Sequence, residues 1–488
     1  MYSVEFLPSS QSMLNDLGIN LDTLKRSQLS RWQKVQYRAV INWLTKYKPL
    51  PNASNLDKIR GCLEAFHHLC ELESWEKAIK IFALNLNNNQ NVELHLQLGT
   101  WGYYQEQIEL YKMLLGKIEY SVDIVCLVGL GKANTRLGNY NQALTYYNQG
   151  IVIDQTLKKY QVTTNILNNI SATYRFLADY KKSIFYSQKA LDIAQITSDK
   201  SGEANAICNL GIAYFSLSNY TKAVEYHQRE LLFVQEVNDD EGECRTRANL
   251  GNAFCALGNF PAAIEQQEQA LSIAQKLEDS YSECAAFGNL GTAYNYLGDY
   301  HKAIEFYKQQ LELAQKTKDR ATESIALGNL GTVYSGLNQH EQGLDYQRRR
   351  LVIARIIGDR DGEGKSLGNI GIEYAALGQY SEAIEYYKQR LAIAQEIGDF
   401  CGQASVLVNL GLSLSKLGRN SEALSCLQLS LEIFHEIGLI FREEQVLLIL
   451  IKLCHKSQRH LLAIKYHFIL CRLKRLQISQ NPHNNSLA

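Results

Sequence analysis

The chain is poor in proline. It has only five prolines among its 488 residues, at positions 8, 49, 51, 261 and 482. A proline inside a helix removes a backbone N–H and its ring collides with the preceding turn. The stretches 52–260 and 262–481 contain none, so they are suited to long uninterrupted helices.

The chain also lacks a net charge and a long apolar run. Its 50 Lys and Arg residues balance its 50 Asp and Glu residues, which argues against a nucleic-acid-binding protein that relies on bulk electrostatics. The longest plain apolar run, 446–451, is far below the roughly 20 residues of a membrane span. The first residues contain no basic segment followed by an apolar one, so we expect no secretory signal.

The 11 cysteines do not form the pattern of a disulfide framework. Their number is odd and no CxxC pair occurs. Cys208, Cys255 and Cys284 lie within apolar stretches, as small buried thiols do. This usage predicts a reducing compartment, the cytoplasm.

Motifs of catalysis are missing as well. The sequence has no HExxH, GxSxG or GxxxxGK[ST] motif. The adjacent pair His67–His68 does not suit a shared metal ion, because neighbouring side chains on a helix point about 100° apart. We therefore expect neither an enzyme nor a metal site or cofactor.

What the sequence does contain is a repeat of 40 residues. The motif Asn-Leu-Gly begins at Asn209 and recurs at the same interval without insertions. A column of small residues and a column of aromatic residues follow the same step. The asparagines are Asn209, Asn249, Asn289, Asn329 and Asn409, with Asn169 and Asn369 in variant motifs; the small residues run from Ala143 to Ala463, with Ser183 and Gly343 among them; the aromatic column runs from Tyr140 to Tyr380, with His340 as an exception.

Each copy predicts two helices. In 281–320, apolar residues recur at helical spacing up to Leu297, Gly298-Asp299 interrupts them, and the spacing resumes at Ala303. The short break requires antiparallel packing. Pro261 suits the first turn of a second helix. An Asp before each first helix is read as an N-cap, and a Glu or Gln four residues later as a complement to the helix dipole. The Asp residues are Asp199, Asp239, Asp279, Asp319, Asp359 and Asp399.

A single helix pair cannot bury its apolar face, so the copies must stack. We predict one array in place of the roughly three domains that the length alone suggests. The predicted parts are 1–57, an N-terminal helical cap or docking segment; 58–120, two diverged helix pairs; 121–440, eight repeats; 441–478, a degenerate ninth repeat or capping helices; and 479–488, a disordered tail.

The pattern Leu210-Gly211-x-x-Tyr214, followed by Tyr220-x-x-Ala223, resembles the tetratricopeptide repeat signature. The forty-residue spacing is similar to that of the Pins/LGN scaffolds and of bacterial, especially cyanobacterial, repeat proteins. The resemblance implies an all-α, right-handed superhelical solenoid of antiparallel helix pairs that binds partners on the concave face of its first helices. The G-protein-binding motifs of those scaffolds are not seen here.

We define the groove stripe as positions i, i+4, i+7 and i+11 of each first helix, with the asparagine column at i+4. The stripe contains no carboxylate and is partly apolar, as at Ile325 and Leu412. It predicts an acid-free groove for an extended or helical protein segment with acidic residues. The candidate binding residues are Asn169, Asn209, Asn249, Asn289, Asn329, Asn369, Asn409, Asn252, Tyr296, Lys132, Arg136, Arg245, Lys365 and Lys416.

Several alternatives stay open. The asparagines could bond the adjoining repeat instead of a ligand, and the five cations could be solvated singly. Arg350 and Arg390 occupy a column that is usually small, and we expect their stems to snorkel over apolar neighbours. No acidic residue follows Glu444, and the basic C-terminal end is read as a capping pair, although it could contact an anionic partner.

The sequence thus favours a non-enzymatic scaffold or adaptor that binds a protein or peptide segment. The alternative is a regulatory sensor whose array changes curvature on binding and thereby controls an effector. We expect no nucleic-acid partner. The identity of the partner, the polarity of the bound segment and the oligomeric state are not encoded in these patterns.

Overall fold

The computed structural model describes residues 7–20, 24, 28–50, 52–86, 92–157 and 162–480, except for the side chains of 157 and 474–480. Over these ranges the chain forms 24 α-helices and no β-strand, apart from one isolated bridge between Asn85 and Glu93. The predicted all-α fold is confirmed. The helices belong to two compact units, Met1–Val237 and Asn238–Ala488.

The first unit contains twelve of the described helices. Each helix packs against the next, and short turns make the partners of each pair antiparallel. The helices are α1 Ser10–Leu17, α2 Arg31–Lys46, α3 Asn55–Glu71, α4 Trp75–Phe82, α5 Leu94–Thr100, α6 Tyr104–Leu114, α7 Tyr120–Arg136, α8 Tyr140–Leu157, α9 Thr163–Phe176, α10 Tyr180–Thr197, α11 Lys200–Ser216 and α12 Tyr220–Glu236.

The second unit contains the other twelve, again as antiparallel neighbours. They are α13 Asp240–Ala256, α14 Phe260–Lys276, α15 Ser280–Leu297, α16 Tyr300–Thr317, α17 Arg320–Gly336, α18 His340–Ile357, α19 Arg360–Ala376, α20 Tyr380–Glu396, α21 Phe400–Lys416, α22 Asn420–Glu436, α23 Ile440–Lys456 and α24 His460–Gln480. Helix α24 extends to Gln480, and residues 481–488 of the predicted tail lie outside the described ranges.

The turns of the repeats have a backbone conformation that itself recurs every 40 residues. Gly138, Gly258 and Gly298 have positive φ at the end of a first helix, and Ala178 and Ser218 adopt the same conformation at equivalent positions. After α15, the amide of Asp299 donates to the carbonyl of Tyr294, 3.0 Å away. This left-handed turn reverses the chain and satisfies carbonyls that the helix end leaves unpaired.

The predicted N-caps are confirmed. All six aspartates of that column accept a hydrogen bond from a backbone amide in the first turn of the following helix. For example, Asp359 Oδ1 accepts from the amide of Gly362 at 2.8 Å. Pro261 lies in the first turn of α14, also as predicted.

The small column is the closest point of each helix pair. Ala143, Ala223, Ala263 and Ala303 are completely buried. The aromatic column, in contrast, is only half-buried. The largest fully buried rings belong instead to Tyr147 and Tyr387, which lie over glycines of the first helices.

Arg390 corrects one expectation. Its side chain does not snorkel to water: the residue is only 7% exposed, and Nη2 donates to Asp399 Oδ2 at 2.6 Å. Gly364 makes room for the guanidinium, because a Cβ there would lie 2.4 Å from Nη1. Arg350 is half-buried over Gly328, and burial lowers its pKa. Both arginines fill space inside the repeats.

Candidate functional site

The groove stripe lies at the surface of the first helices. The seven asparagines of the column are half-buried, and the five cations are exposed: Lys132, Arg136, Arg245, Lys365 and Lys416. Tyr296 is 64% exposed and stacks on Phe260 with ring centroids 5.8 Å apart. The stripe is therefore accessible to a ligand in both units.

In the first unit, part of the stripe lines a polar pocket of about 410 Å³, which we call the amide pocket. Three of the predicted residues, Lys132, Asn169 and Asn209, meet there; Arg136 is not part of its lining. The pocket is lined by Lys132, Asn165, Asn168, Asn169, Ala172, Asp199, Ser201, Gly202, Asn205 and Asn209.

The amides of this pocket are only partly used within the fold. Asn209 Nδ2 donates to the backbone carbonyl of Asn168 in the preceding repeat at 3.3 Å, and Asn169 Nδ2 donates to Asn165 Oδ1 at 2.7 Å. Asn168 is only 7% exposed; its Nδ2 donates to the carbonyl of Gly202, while Oδ1 has no partner. Asn209 therefore has a bond to the adjoining repeat and a face towards the pocket.

In the second unit, Gln267 joins two predicted residues. Its Nε2 donates to Asn252 Oδ1 at 3.1 Å and to the carbonyl of Ala248 at 2.9 Å, and its Oε1 accepts from Asn289 Nδ2 at 3.4 Å. The structure thus gives Asn252 and Asn289 internal partners. For these two residues, the reading of the amides as links between repeats has direct support.

The other predicted residues of the second unit are not brought together. Asn249, Asn329, Asn369 and Asn409 form no side-chain hydrogen bond within the described ranges. Lys365 is paired with Asp361 at 2.6 Å on the same helix. For Arg245 and Lys416, as for Lys132 and Arg136 in the first unit, no carboxylate of the described residues lies within 4.0 Å.

A second pocket of about 320 Å³ adjoins the amide pocket and shares Lys132 and Asn165 with it; we call it the Asp154 pocket. Its walls are largely apolar, with Ile124, Val128 and Val162 among them. Partial desolvation lowers the pKa of Lys132 between the two pockets. The expected acid-free groove is wrong for this unit, since Asp199 lines one pocket and Asp154 the other.

Sequence reasoning missed Asp154 and Asn168. Yet Asp154 carries a visible signal, because alanine stands at the equivalent position of five other copies: Ala194, Ala274, Ala314, Ala354 and Ala394. A carboxylate in a column of buried alanines is a departure that the 40-residue alignment exposes. Asn168 has no such signal, because its column varies among small and polar residues.

The remaining predicted features are simpler. His68 Nδ1 lies in hydrogen-bonding contact with Gln36, and no three His, Cys, Asp or Glu residues of the described ranges gather as metal ligands. At the basic C-terminal end, Lys456 Nζ donates to the carbonyl of Ser415. Within the same ranges, no helix has both the length and the hydropathy needed to cross a membrane.

Comparison with known proteins agrees with this architecture. Among solved structures, the chain is similar to a Signal Transduction ATPase with Numerous Domains (STAND) protein with a tetratricopeptide repeat sensor from Pyrococcus horikoshii. That match has 13% identity and a TM-score of 0.55, and it covers 97% of this chain and 74% of the other. The identity is low, so the likeness concerns the fold.

Two further structures are similar at a lower level. The apo form of the quorum sensor NprR from B. thuringiensis has 14% identity and a TM-score of 0.49, covering 73% of this chain and 100% of its own. A Rap protein complexed with Competence and Sporulation Factor has 15% identity and a TM-score of 0.46, covering 74% and 99%. No curated protein sequence matches the chain significantly.

Family models give the decisive match. Tetratricopeptide repeat models match residues 123–196, 202–276, 282–356 and 339–396, and a further one matches 404–434. These ranges cover more than half of the chain and fall on the helix pairs described above. The finer similarity to Pins/LGN-type or cyanobacterial arrays stays a prediction. The chain belongs to the tetratricopeptide repeat family.

Proposed function

We propose that this protein is a non-enzymatic cytoplasmic scaffold that binds a segment of another protein along the groove stripe. The amide pocket carries the proposal. It gathers five asparagine side chains, and one of them holds a buried oxygen without a partner. A side-chain amide offers both a donor and an acceptor, so it can pair with the N–H and C=O groups of a bound main chain.

The charges of the stripe support a segment with acidic residues. Lys132 and Arg136 lie on α7 beside the amide pocket without a carboxylate partner in the described ranges. Desolvation of an ammonium is unfavourable unless an anion compensates it. An acidic side chain of the ligand would restore this balance at Lys132 and would select among partners.

The cytoplasmic assignment rests on the thiols. All 11 cysteines are free, and Cys401 and Cys471 are exposed. Unpaired exposed thiols are typical of a reducing compartment.

Peptide selection tests the proposal. A random-peptide display library would be selected on the full chain, and the selected peptides would be measured against three proteins: wild type, Asn169→Ala/Asn209→Ala, and the control Asn141→Ala. Asn141 is exposed on a second helix, away from the stripe. We expect the double variant to bind about tenfold more weakly, as the loss of two hydrogen bonds implies, and the control to bind like wild type.

Two results would contradict the proposal. Either the wild type selects no peptide above an uncoated surface, or the double variant retains full affinity. Urea unfolding of the double variant provides the stability control, because Asn209 also bonds the preceding repeat. Scattering curves with and without a selected peptide superpose for a rigid scaffold and differ for a sensor.

A further inference from the structure

The Asp154 pocket contains a buried carboxylate that the repeat fold does not require. Asp154 lies near the end of α8 and is 0% exposed. The equivalent positions of five other copies hold alanine, and Ala194, Ala274 and Ala314 are completely buried. The fold therefore tolerates, and elsewhere uses, a methyl group where this copy has a carboxylate.

Only half of the Asp154 carboxylate is used within the chain. Oδ2 accepts hydrogen bonds from the amide and the hydroxyl of Thr163, at 2.9 and 2.5 Å, at the start of α9. Oδ1 has no hydrogen-bond partner. A buried carboxylate oxygen without a partner is costly, because the charged form loses its hydration.

The other buried polar groups of this pocket satisfy one another. His95 Nδ1 lies 2.9 Å from the hydroxyl of Tyr111, and His95 Nε2 lies 2.7 Å from Glu93 Oε2. Gln107 Nε2 donates to the carbonyl of His95 at 2.7 Å. Burial lowers the pKa of His95 despite the nearby Glu93, so the ring is neutral at pH 7 and is no counter-ion for Asp154.

We propose that the Asp154 pocket binds a cationic hydrogen-bond donor of the ligand, an ammonium or guanidinium group, with its apolar stem against Val128 and Val162. The volume of about 320 Å³ is at the lower end of the range for small-ligand sites. This inference rests on the proposed function, because the cationic group is carried by the bound segment. It also gives that segment a direction: the cation lies at Asp154, and the main chain continues across Lys132 into the amide pocket.

Two sources can supply this cation: a free amino terminus, or a lysine or arginine side chain. Small probes separate them. Leucinamide mimics a free terminus, and N-acetyl-leucinamide is its neutral match. The N-acetyl methylamides of lysine and arginine mimic the side chains, with that of norleucine as the neutral match. Binding to the full chain would be measured by saturation-transfer NMR at pH about 6.5, where α-amino groups with pKa of about 8 are charged.

We expect the cationic member of at least one pair to bind wild type about tenfold more tightly than its neutral match, since a hydrogen bond between charged groups is stronger than a neutral one. The preference should vanish in Asp154→Asn and Asp154→Ala. Asn retains an acceptor for Thr163, and Ala restores the residue of the other copies, so both variants are expected to fold. The control Asp192→Asn, at an exposed carboxylate of α10, should keep the preference.

The inference is overturned if no cationic probe is preferred by wild type, or if the preference survives in both Asp154 variants. These outcomes are independent of the peptide selection. Peptides that bind wild type and Asp154→Asn with the same sequence preference would leave the scaffold proposal intact and remove this one. Cationic probes that depend on Asp154, in a protein that selects no peptide, would do the reverse.

Discussion

At the residue scale, each repeat divides one space between two side chains. A position on the first helix faces another that lies 16 residues later on the second helix. Where the first is Gly291 or Gly371, the second is a buried tyrosine, Tyr307 or Tyr387. The one copy with a serine in the glycine column has Ser187 opposite Ser171, and their hydroxyls are 2.6 Å apart. The two positions are complementary in volume.

This complementarity predicts a rescue. A Cβ on Gly371 would lie 2.5 Å from the ring of Tyr387, so Gly371→Ser should destabilise the protein by about 1–3 kcal/mol through overpacking. Adding Tyr387→Ser recreates the pair found at Ser171 and Ser187 and should remove the steric part of the loss. Urea unfolding of the two variants, compared with Tyr387→Ser alone, gives the coupling energy. Purely additive effects would show that the two positions do not share one space.

At the element scale, the second helix of one copy is joined to the first helix of the next by a recurring side-chain bond. Gln275 bonds Glu283 at 3.1 Å, and Gln315 bonds Glu323 at 2.9 Å. In the following copy an arginine replaces the glutamine, and Arg355 pairs with Glu363 at 2.8 Å. The dipole interpretation of these glutamates was incomplete, because they also hold neighbouring copies together.

The charged version of this link makes stability depend on pH. Burial raises the pKa of Glu363, but its bonds to Arg355 and Arg360 outweigh burial, and the pKa lies below its ordinary value. A lowered folded-state pKa gives stability that is complete above the unfolded pKa, about 4.5, and is lost as the pH falls through the folded pKa. Glu363→Gln should therefore cost about 1–2 kcal/mol at pH 7 and progressively less in acid.

Glu283→Gln is the matched control, because its partner Gln275 is neutral. Its effect should be smaller and should change less between pH 7 and pH 3. Urea midpoints at several pH values give both comparisons. An effect of Glu363→Gln that is the same at pH 7 and pH 3 would contradict the electrostatic origin of the link.

At the scale of the whole molecule, the repeat architecture could be predicted because it is written in columns. Period, turns, caps and the small column all follow from spacing at 40 residues. Contacts that depend on several departures at once could not. His340, Gly343 and Glu373 each depart from their column, and His340 Nδ1 lies 2.8 Å from Glu373 Oε2, while a Cβ on Gly343 would lie 2.9 Å from Oε1. The partners belong to different copies, so no single repeat reveals them.

The same limit applies to the candidate site. Its exposed stripe follows from helical periodicity, and the amide-rich lining includes Asn169 and Asn209 as predicted from their column. The pocket itself depends on how three successive copies pack. Asn168 and Asp154 enter it through that packing, which periodicity does not determine.

The thiols offer a test across the whole chain. Cys401 and Cys471 are exposed, whereas burial raises the pKa of Cys62 and Cys126 to about 12. The thiolate is the reactive form, so a rise from 9.0 lowers its population about a thousandfold at neutral pH. Alkylation of the native protein, followed by mass spectrometry, should label Cys401 and Cys471 first and Cys62 and Cys126 last.

Unfolding in urea without a reductant is the control, and it should make all 11 cysteines reactive. Native-state labelling of Cys62 or Cys126 as rapid as that of Cys401 would contradict the described packing.

The alanine column that Asp154 interrupts has an evolutionary consequence. Where many near-identical modules share the task of holding a protein together, one of them can lose a stabilising methyl group and acquire a charge while its siblings keep the molecule folded. Specificity can then change by a substitution in a single module. Related proteins that recognise other ligands would differ first at such exceptional positions, and a designer could relocate the recognition element by moving the aspartate one period along the chain.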